Sequence, residues 1–152
     1  MQSYTYCAMI RRFVLLGVIL TLLWGSVCGQ TYILNAALNG QTITTCSGTF
    51  YDSGGPNGNY GSNQDYTVTF VSATPGMCIQ VHFTFFNIES ATWDYLTIYS
   101  GNSTASPQLG RWGGANSPGT VTSYTGALTF AFHSDGSVNY AGWAATISCV
   151  DC

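Results

Sequence analysis

Imidazoles and carboxylates, the side chains that do most acid–base chemistry, are few in this sequence: His82, His133, and six carboxylates at Asp52, Asp65, Glu89, Asp94, Asp135 and Asp151. His133, Ser134 and Asp135 supply the residue types of a hydrolytic triad, but strand neighbours point in alternate directions and a triad works by convergence in space. His82 keeps step with Gln80 and Thr84, which marks a solvated strand face. Glu89 and Asp94 form a carboxylate pair of the kind that cleaves glycosidic bonds, a role decided by their separation in space. So short a chain offers little depth for a catalytic cleft. The expectation is a binding module, with no enzyme activity. A second binding chemistry rests on aromatic rings, which stack on sugars: Trp93, Trp112 and Trp143, with Tyr51, Tyr60 and Tyr140, could form a glycan platform. Trp143 shares its parity with Ala145 and Ile147 and is expected in the core. Trp112 lies in a glycine-flanked turn and is expected to be exposed, so Trp112 and Trp93 are the platform candidates.

Charge and cysteine content narrow the setting. Arg11 and Arg12 flank an apolar run over residues 13–24, the layout of a secretory signal. That run is shorter than the roughly 20 residues a membrane-spanning helix needs, so no stable membrane span is expected in the mature chain. Small residues at Val27 and Gly29 place cleavage after Gly29, making residues 1–29 the signal peptide and Gln30 the first mature residue. The chain has no lysine, and beyond the signal Arg111 alone faces six acids, a net charge of −5. Nucleic acids draw most of their protein affinity from lysine and arginine on phosphates, so they are excluded as partners. An acidic surface of this kind suits cations and basic groups. Cys7 and Cys28 fall within the signal, leaving Cys46, Cys78, Cys149 and Cys152. In an oxidising compartment four cysteines allow two disulfides in three connectivities. Their spacing lacks the paired knuckles of a zinc site.

The elements that must position these residues are strands. Tyr66, Val68 and Phe70 alternate with threonines, and Ile79, Val81, Phe83 and Phe85 alternate with Gln80, His82 and Thr84. Leu128, Phe130 and Phe132 do the same, as do Trp143, Ala145, Ile147 and Cys149. Residues 95–99 and 120–123 read as further strands. Clusters rich in glycine, asparagine and proline at 53–61, 74–76, 100–107, 113–119 and 135–139 supply the turns. Strands with one apolar face each must bury those faces together, which predicts an all-β sandwich over residues 30–150. Residues 151–152 form a terminal piece, and the chain is expected to be cut short there. Asn102, Ser103 and Thr104 form an N-glycosylation sequon on one of the turns.

Five motifs resemble the CUB domain family in order and spacing. Thr49 to Gly55 is similar to the opening of its bacterial branch, and Gly58, Asn59 and Tyr60 to the loop that follows. Phe83 to Glu89 resembles the strand that ends in an acid, and Trp93 to Ile98 the aspartate-led strand. Phe130 to Asp135, with Gly142 to Ala144, resembles the closing pair. The resemblance implies an antiparallel, jelly-roll-like sandwich used as a secreted or cell-surface module for protein–protein interaction. It also implies a calcium site at Tyr60, Glu89, Asp94 and Asp135, with Ser137 as an auxiliary oxygen, where an exposed Lys or Arg of an extracellular partner would meet the acids. The interval from Glu89 to Asp94 is shorter than in many metal-binding members, and Val138 stands where some members carry an oxygen ligand. The cysteine pair that many animal members hold near the aspartate-led strand is absent. Cys46 is expected to pair with Cys149, joining the first and last parts of the domain; Cys78 and Cys152 then pair together or stay free. The alternative function is a carbohydrate-binding module working with a secreted enzyme.

Overall fold

The computed structural model describes residues 29–152 and, ahead of them, the backbone of a two-residue antiparallel pair, Met9–Ile10 with Gly25–Ser26. The signal-peptide reading, and with it Cys7 and Cys28, lies largely outside the described residues. Ten strands follow in chain order: β1 Thr31–Ile33, β2 Gln41–Thr45, β3 Ser47–Tyr51, β4 Gln64–Ser72, β5 Met77–Asn87, β6 Tyr95–Ser100, β7 Gln108–Trp112, β8 Thr120–Thr122, β9 Ala127–Ser134 and β10 Gly142–Asp151. They form two five-stranded sheets, ordered β8-β5-β10-β3-β1 and β2-β4-β9-β6-β7. Most pairs are antiparallel. The short strands β1 and β2 instead add parallel to β3 and β4, one at an edge of each sheet.

Alternation along the long strands builds the interior. Val68, Phe70, Val81, Leu128, Phe130, Phe132, Trp143 and Ala145 are all buried between the sheets. Phe50 sits at the centre, its ring 5.1 Å from Phe70 and 5.2 Å from Phe130, both edge-on, and 5.6 Å from Trp143. Edge-on geometry sets the positive rim of one ring against the negative face of the next, and each buried ring contributes about 1.5–3 kcal/mol through apolar burial.

One side chain departs from the simple alternation. Ala144 pairs with Phe85 but Ala145 pairs with Phe83, so Thr84 is an extra residue on β5 and makes a β-bulge. Thr84 anchors it by donating from Oγ1 to the Ala144 carbonyl at 3.0 Å. A bulge reverses the parity of everything beyond it. Phe86 and Ile88 therefore turn inward, and Phe85, expected on the apolar face with Phe83, is 47% exposed.

Two disulfides close one end of the sandwich. Cys46 joins Cys149 across 103 positions, with the Cα atoms 4.8 Å apart, and Cys78 joins Cys152 with the Cα atoms 5.1 Å apart. Ser72 reaches the first bridge, its hydroxyl 3.2 Å from Cys149 Sγ.

Candidate functional site

The opposite end is where the acids gather. β9 ends at Ser134, β5 runs out toward Glu89 and β6 begins just after Asp94, so three loops meet there. Carboxylate oxygens of Glu89, Asp94 and Asp135 lie within 4.8 Å of one another. A tight turn bridges the short interval from Glu89 to Asp94, with the N–H groups of Trp93 and Asp94 both donating to the Ser90 carbonyl. The shortness of that interval does not separate the two acids.

Each acid is held by its surroundings. Asp94 is fully buried and accepts from the Tyr60 hydroxyl at 2.6 Å on one oxygen and from the Asp135 N–H at 2.8 Å on the other. Tyr60, also buried, accepts in turn from the Glu89 N–H at 3.0 Å. Burial, reinforced by the hydrogen bond to Asp94, pushes the Tyr60 phenol well above its ordinary range, so the hydroxyl remains a donor. The Glu89 carbonyl accepts from Gly114 N–H, and the Asp135 carbonyl from Asn63 N–H at 2.6 Å. Asp135 Oδ1 accepts from Ser137 N–H at 2.9 Å. Ser137 thus reaches the cluster through its backbone, and its side chain is exposed. Glu89 Oε2 is inaccessible to water and has no hydrogen-bond partner. Desolvation raises the Glu89 pKa, and the neighbouring charges of Asp94 and Asp135 raise it further. A buried oxygen without a donor, beside two more carboxylates, is a set of hard ligands that fits a divalent cation. Val138 contributes no side-chain oxygen. It is 52% exposed in a left-handed conformation at φ 61°, and its carbonyl lies 3.5 Å from the Tyr60 hydroxyl.

The other candidates are dispersed. His82 is exposed, with Nδ1 2.8 Å from Thr120 Oγ1. His133 turns outward, stacks on Tyr95 at 4.9 Å and pairs with Asp65 at 2.6 Å. Ser134 turns inward, where its hydroxyl donates to the Gly61 carbonyl and accepts from Gln64 N–H. The triad types therefore diverge, as strand neighbours must. Asn102 is exposed on the loop between β6 and β7. Trp93 is 56% exposed beside the acids. Trp112 differs from expectation. It ends β7 rather than lying in a turn, is half-buried against the core, and its ring covers Gly110 so closely that a Cβ there would overlap it. Gly110, two residues earlier on the same strand, makes room for the indole.

Asp52 is the residue that sequence reasoning passed over. It lies fully buried beyond β3, its two oxygens accepting from the N–H groups of Gly54 and Trp143 at 2.8 Å each. Desolvation outweighs those bonds and pushes its pKa up to about 6. Gly142, at φ 70°, lies against this carboxylate and leaves no space for a side chain. Asp52 and Gly142 stand 90 positions apart, and only the pairing of β3 with β10 brings them together.

The topology is that of a two-sheet sandwich with an acidic cluster at one end, and the family follows from the sequence match. The CUB domain family model matches residues 39–147, and this chain belongs to that family. Bone morphogenetic protein 1 of Xenopus laevis is 39% identical over 77 residues, covering 49% of this chain and 11% of the relative. Zinc metalloproteinase nas-39 of Caenorhabditis elegans is 35% identical over 101 residues, covering 64% of this chain and 10% of the relative. The chain thus spans about a tenth of the length of these relatives. Both come from animals; the likeness to the bacterial branch rests on the sequence motifs alone. The structure of the MASP-1 CUB2 domain bound to Ca2+ superposes with a TM-score of 0.62 at 24% identity, covering 72% of this chain and 98% of that one. Among the described residues no helix is long and apolar enough to cross a membrane.

Proposed function

We propose that this chain is a secreted or cell-surface binding module that holds calcium at Glu89, Asp94 and Asp135 and uses the ordered loops to grip a basic group of a protein partner. The reading is carried by one observation: Glu89 Oε2 is buried without a donor, among three carboxylates that lie within 4.8 Å. Calcium takes about six to eight oxygens, and these three acids, with carbonyls and water, supply a set of the right charge. The ion would neutralise the mutual repulsion of the acids. Tyr60 orients Asp94, and the backbone bonds to Asn63 and Gly114 hold the loops that carry Asp135 and Glu89. The MASP-1 CUB2 domain, whose structure is bound to Ca2+, supports the reading. Two disulfides fit an oxidising, extracytoplasmic setting.

The test is thermal unfolding in chelator, in calcium and in magnesium. At about a hundredfold above the dissociation constant, linkage adds roughly 2.7 kcal/mol. For a domain of this size that raises the melting temperature by roughly 10 °C. Glu89→Gln and Asp135→Asn should each remove most of the shift. Equal melting in chelator and millimolar calcium would reject the site, and a shift that survives both substitutions would assign the ion elsewhere.

A further inference from the structure

The β-bulge at Thr84 opens a second feature, on the outer face of the sheet that contains β5, β10 and β3. Ala144 pairs with Phe85 on one side and with Tyr51 on the other, so two aromatic side chains flank one methyl group across three adjacent strands. Adjacent strands lie about 4.8 Å apart and their side chains stand roughly perpendicular to the sheet, which separates Tyr51 from Phe85 by about 10 Å. Contact distances of about 3.5–4 Å to each ring leave room between them for one further ring. The slot belongs to a groove of about 390 Å³ whose far wall is the turn carrying Asn57 and Asn59. That volume falls within the roughly 300–1,000 Å³ typical of small-molecule sites.

We propose that this groove is a binding site for a neutral saccharide, with one sugar ring held between Tyr51 and Phe85 and its hydroxyls on Asn57 and Asn59. No charged residue lines the groove, and neither Tyr60 nor any of the three clustered acids does. An ionic ligand would therefore find no counter-charge. Asn59 donates its amide nitrogen to the Asn139 carbonyl at 2.8 Å, which leaves its oxygen as an acceptor. An acceptor at that position suits hydroxyl donors and offers nothing to a polyproline segment, whose proline residues have no N–H. Asn57, exposed on the same turn, supplies both donor and acceptor. The wall is built in advance. Pro56 stiffens the single 3-10 turn Gly55–Asn57, and Asp52 ties its start to β10 through the N–H groups of Gly54 and Trp143. The bulge, meanwhile, holds a phenylalanine in water where ordinary alternation would have buried it.

The test is binding of the whole protein to an array of neutral and acidic oligosaccharides, with a proline-rich peptide panel beside it. Any neutral glycan that binds is then titrated against the protein. Phe85→Ala and Tyr51→Ala should each weaken that binding by at least about tenfold, the loss expected when one stacked face is removed. Phe85 is largely outside the core, so Phe85→Ala should melt within a few degrees of the parent, which separates lost binding from lost folding. Binding should persist in chelator and in Glu89→Gln, so failure of the calcium reading leaves this one standing and the reverse also holds. Absence of any neutral glycan signal would overturn the proposal. Signals confined to acidic glycans or to proline-rich peptides, or full retention of affinity in Phe85→Ala, would overturn it as well.

Discussion

Asp52 keeps a carboxylate where water does not reach it, and this makes the stability of the domain depend on pH in an unusual direction. Its pKa is about 6 in the folded chain against an ordinary value of 3.8. The folded state therefore binds this proton more tightly than the unfolded state. Stability contributed at Asp52 rises as pH falls through about 6 and levels off below 3.8, and the full penalty is present above pH 6. At about 1.4 kcal/mol per tenfold change in proton affinity, the interval corresponds to ~3 kcal/mol. That is a sizeable part of the roughly 5–15 kcal/mol that holds a small domain together. Asp52→Asn removes the titration, and it costs something at every pH because an amide accepts from only one of the Gly54 and Trp143 N–H groups. The decisive quantity is the difference in unfolding free energy between parent and variant, measured by urea denaturation in chelator from pH 4 to pH 8. Every other ionisable group is common to the two proteins, so the subtraction removes the shared contribution. The difference should grow in favour of the parent by ~2.4 kcal/mol between pH 7 and pH 4, the rest of the interval being gained mostly below pH 3.8. A difference flat across that range would refute the reasoning, because it would mean that the two backbone donors fully offset the desolvation of Asp52.

Two further outcomes follow from the hydrogen bonds and the covalent links. Tyr60→Phe removes a hydroxyl that donates to a buried carboxylate and accepts from Glu89 N–H, and should cost about 2 kcal/mol in urea denaturation in chelator. Calcium affinity should fall with it; unchanged stability would mean that Asp94 finds another donor. Replacing Cys46 and Cys149 by serine opens a link across 103 positions and should cost roughly 4–5 kcal/mol on the chain-entropy account, read in guanidinium. Non-reducing peptide mapping that joins Cys46 to Cys78 would contradict the pairing outright.

The long strands were legible because two-residue alternation survives in them: β4, β9 and β10 bury the residues that the pattern selects. β1, β2, β3 and β7 were not read as strands, since at three to five residues each they carry too few alternations to stand out from the turns around them. Phe85 shows a deeper limit. A bulge is set by register against a partner strand some 60 positions away, so nothing local in the run from Ile79 to Phe86 marks where parity changes. The acid cluster was legible through likeness to a family, while its buttressing through Tyr60 needed the fold. Asp52 was legible only as one residue of the Thr49 to Gly55 motif, because its burial depends on Gly142 and Trp143, which reach it only across the sheet. Trp112 lies in β7 rather than in a turn because the turn begins only at Gly113 and Gly114, while Gly110 within the strand clears space for its ring.

The placement of the two disulfides governs how the domain would carry mechanical load. A pull on Cys152 enters the sandwich at the end of β10 and meets the bridge to Cys78 on β5 at once. Three residues further in it meets the bridge from Cys149 to Cys46, next to the start of β3. Tension is thereby shared among three adjacent strands before any ladder of hydrogen bonds has to hold alone. Those strands are then loaded along their length, so many bonds must break together rather than one after another. A partner held at the far end, by the loops around Asp94 and Asp135, would be pulled on through a sheet that resists stretching. Reduction of the disulfides would let the same tension peel β10 away from its end.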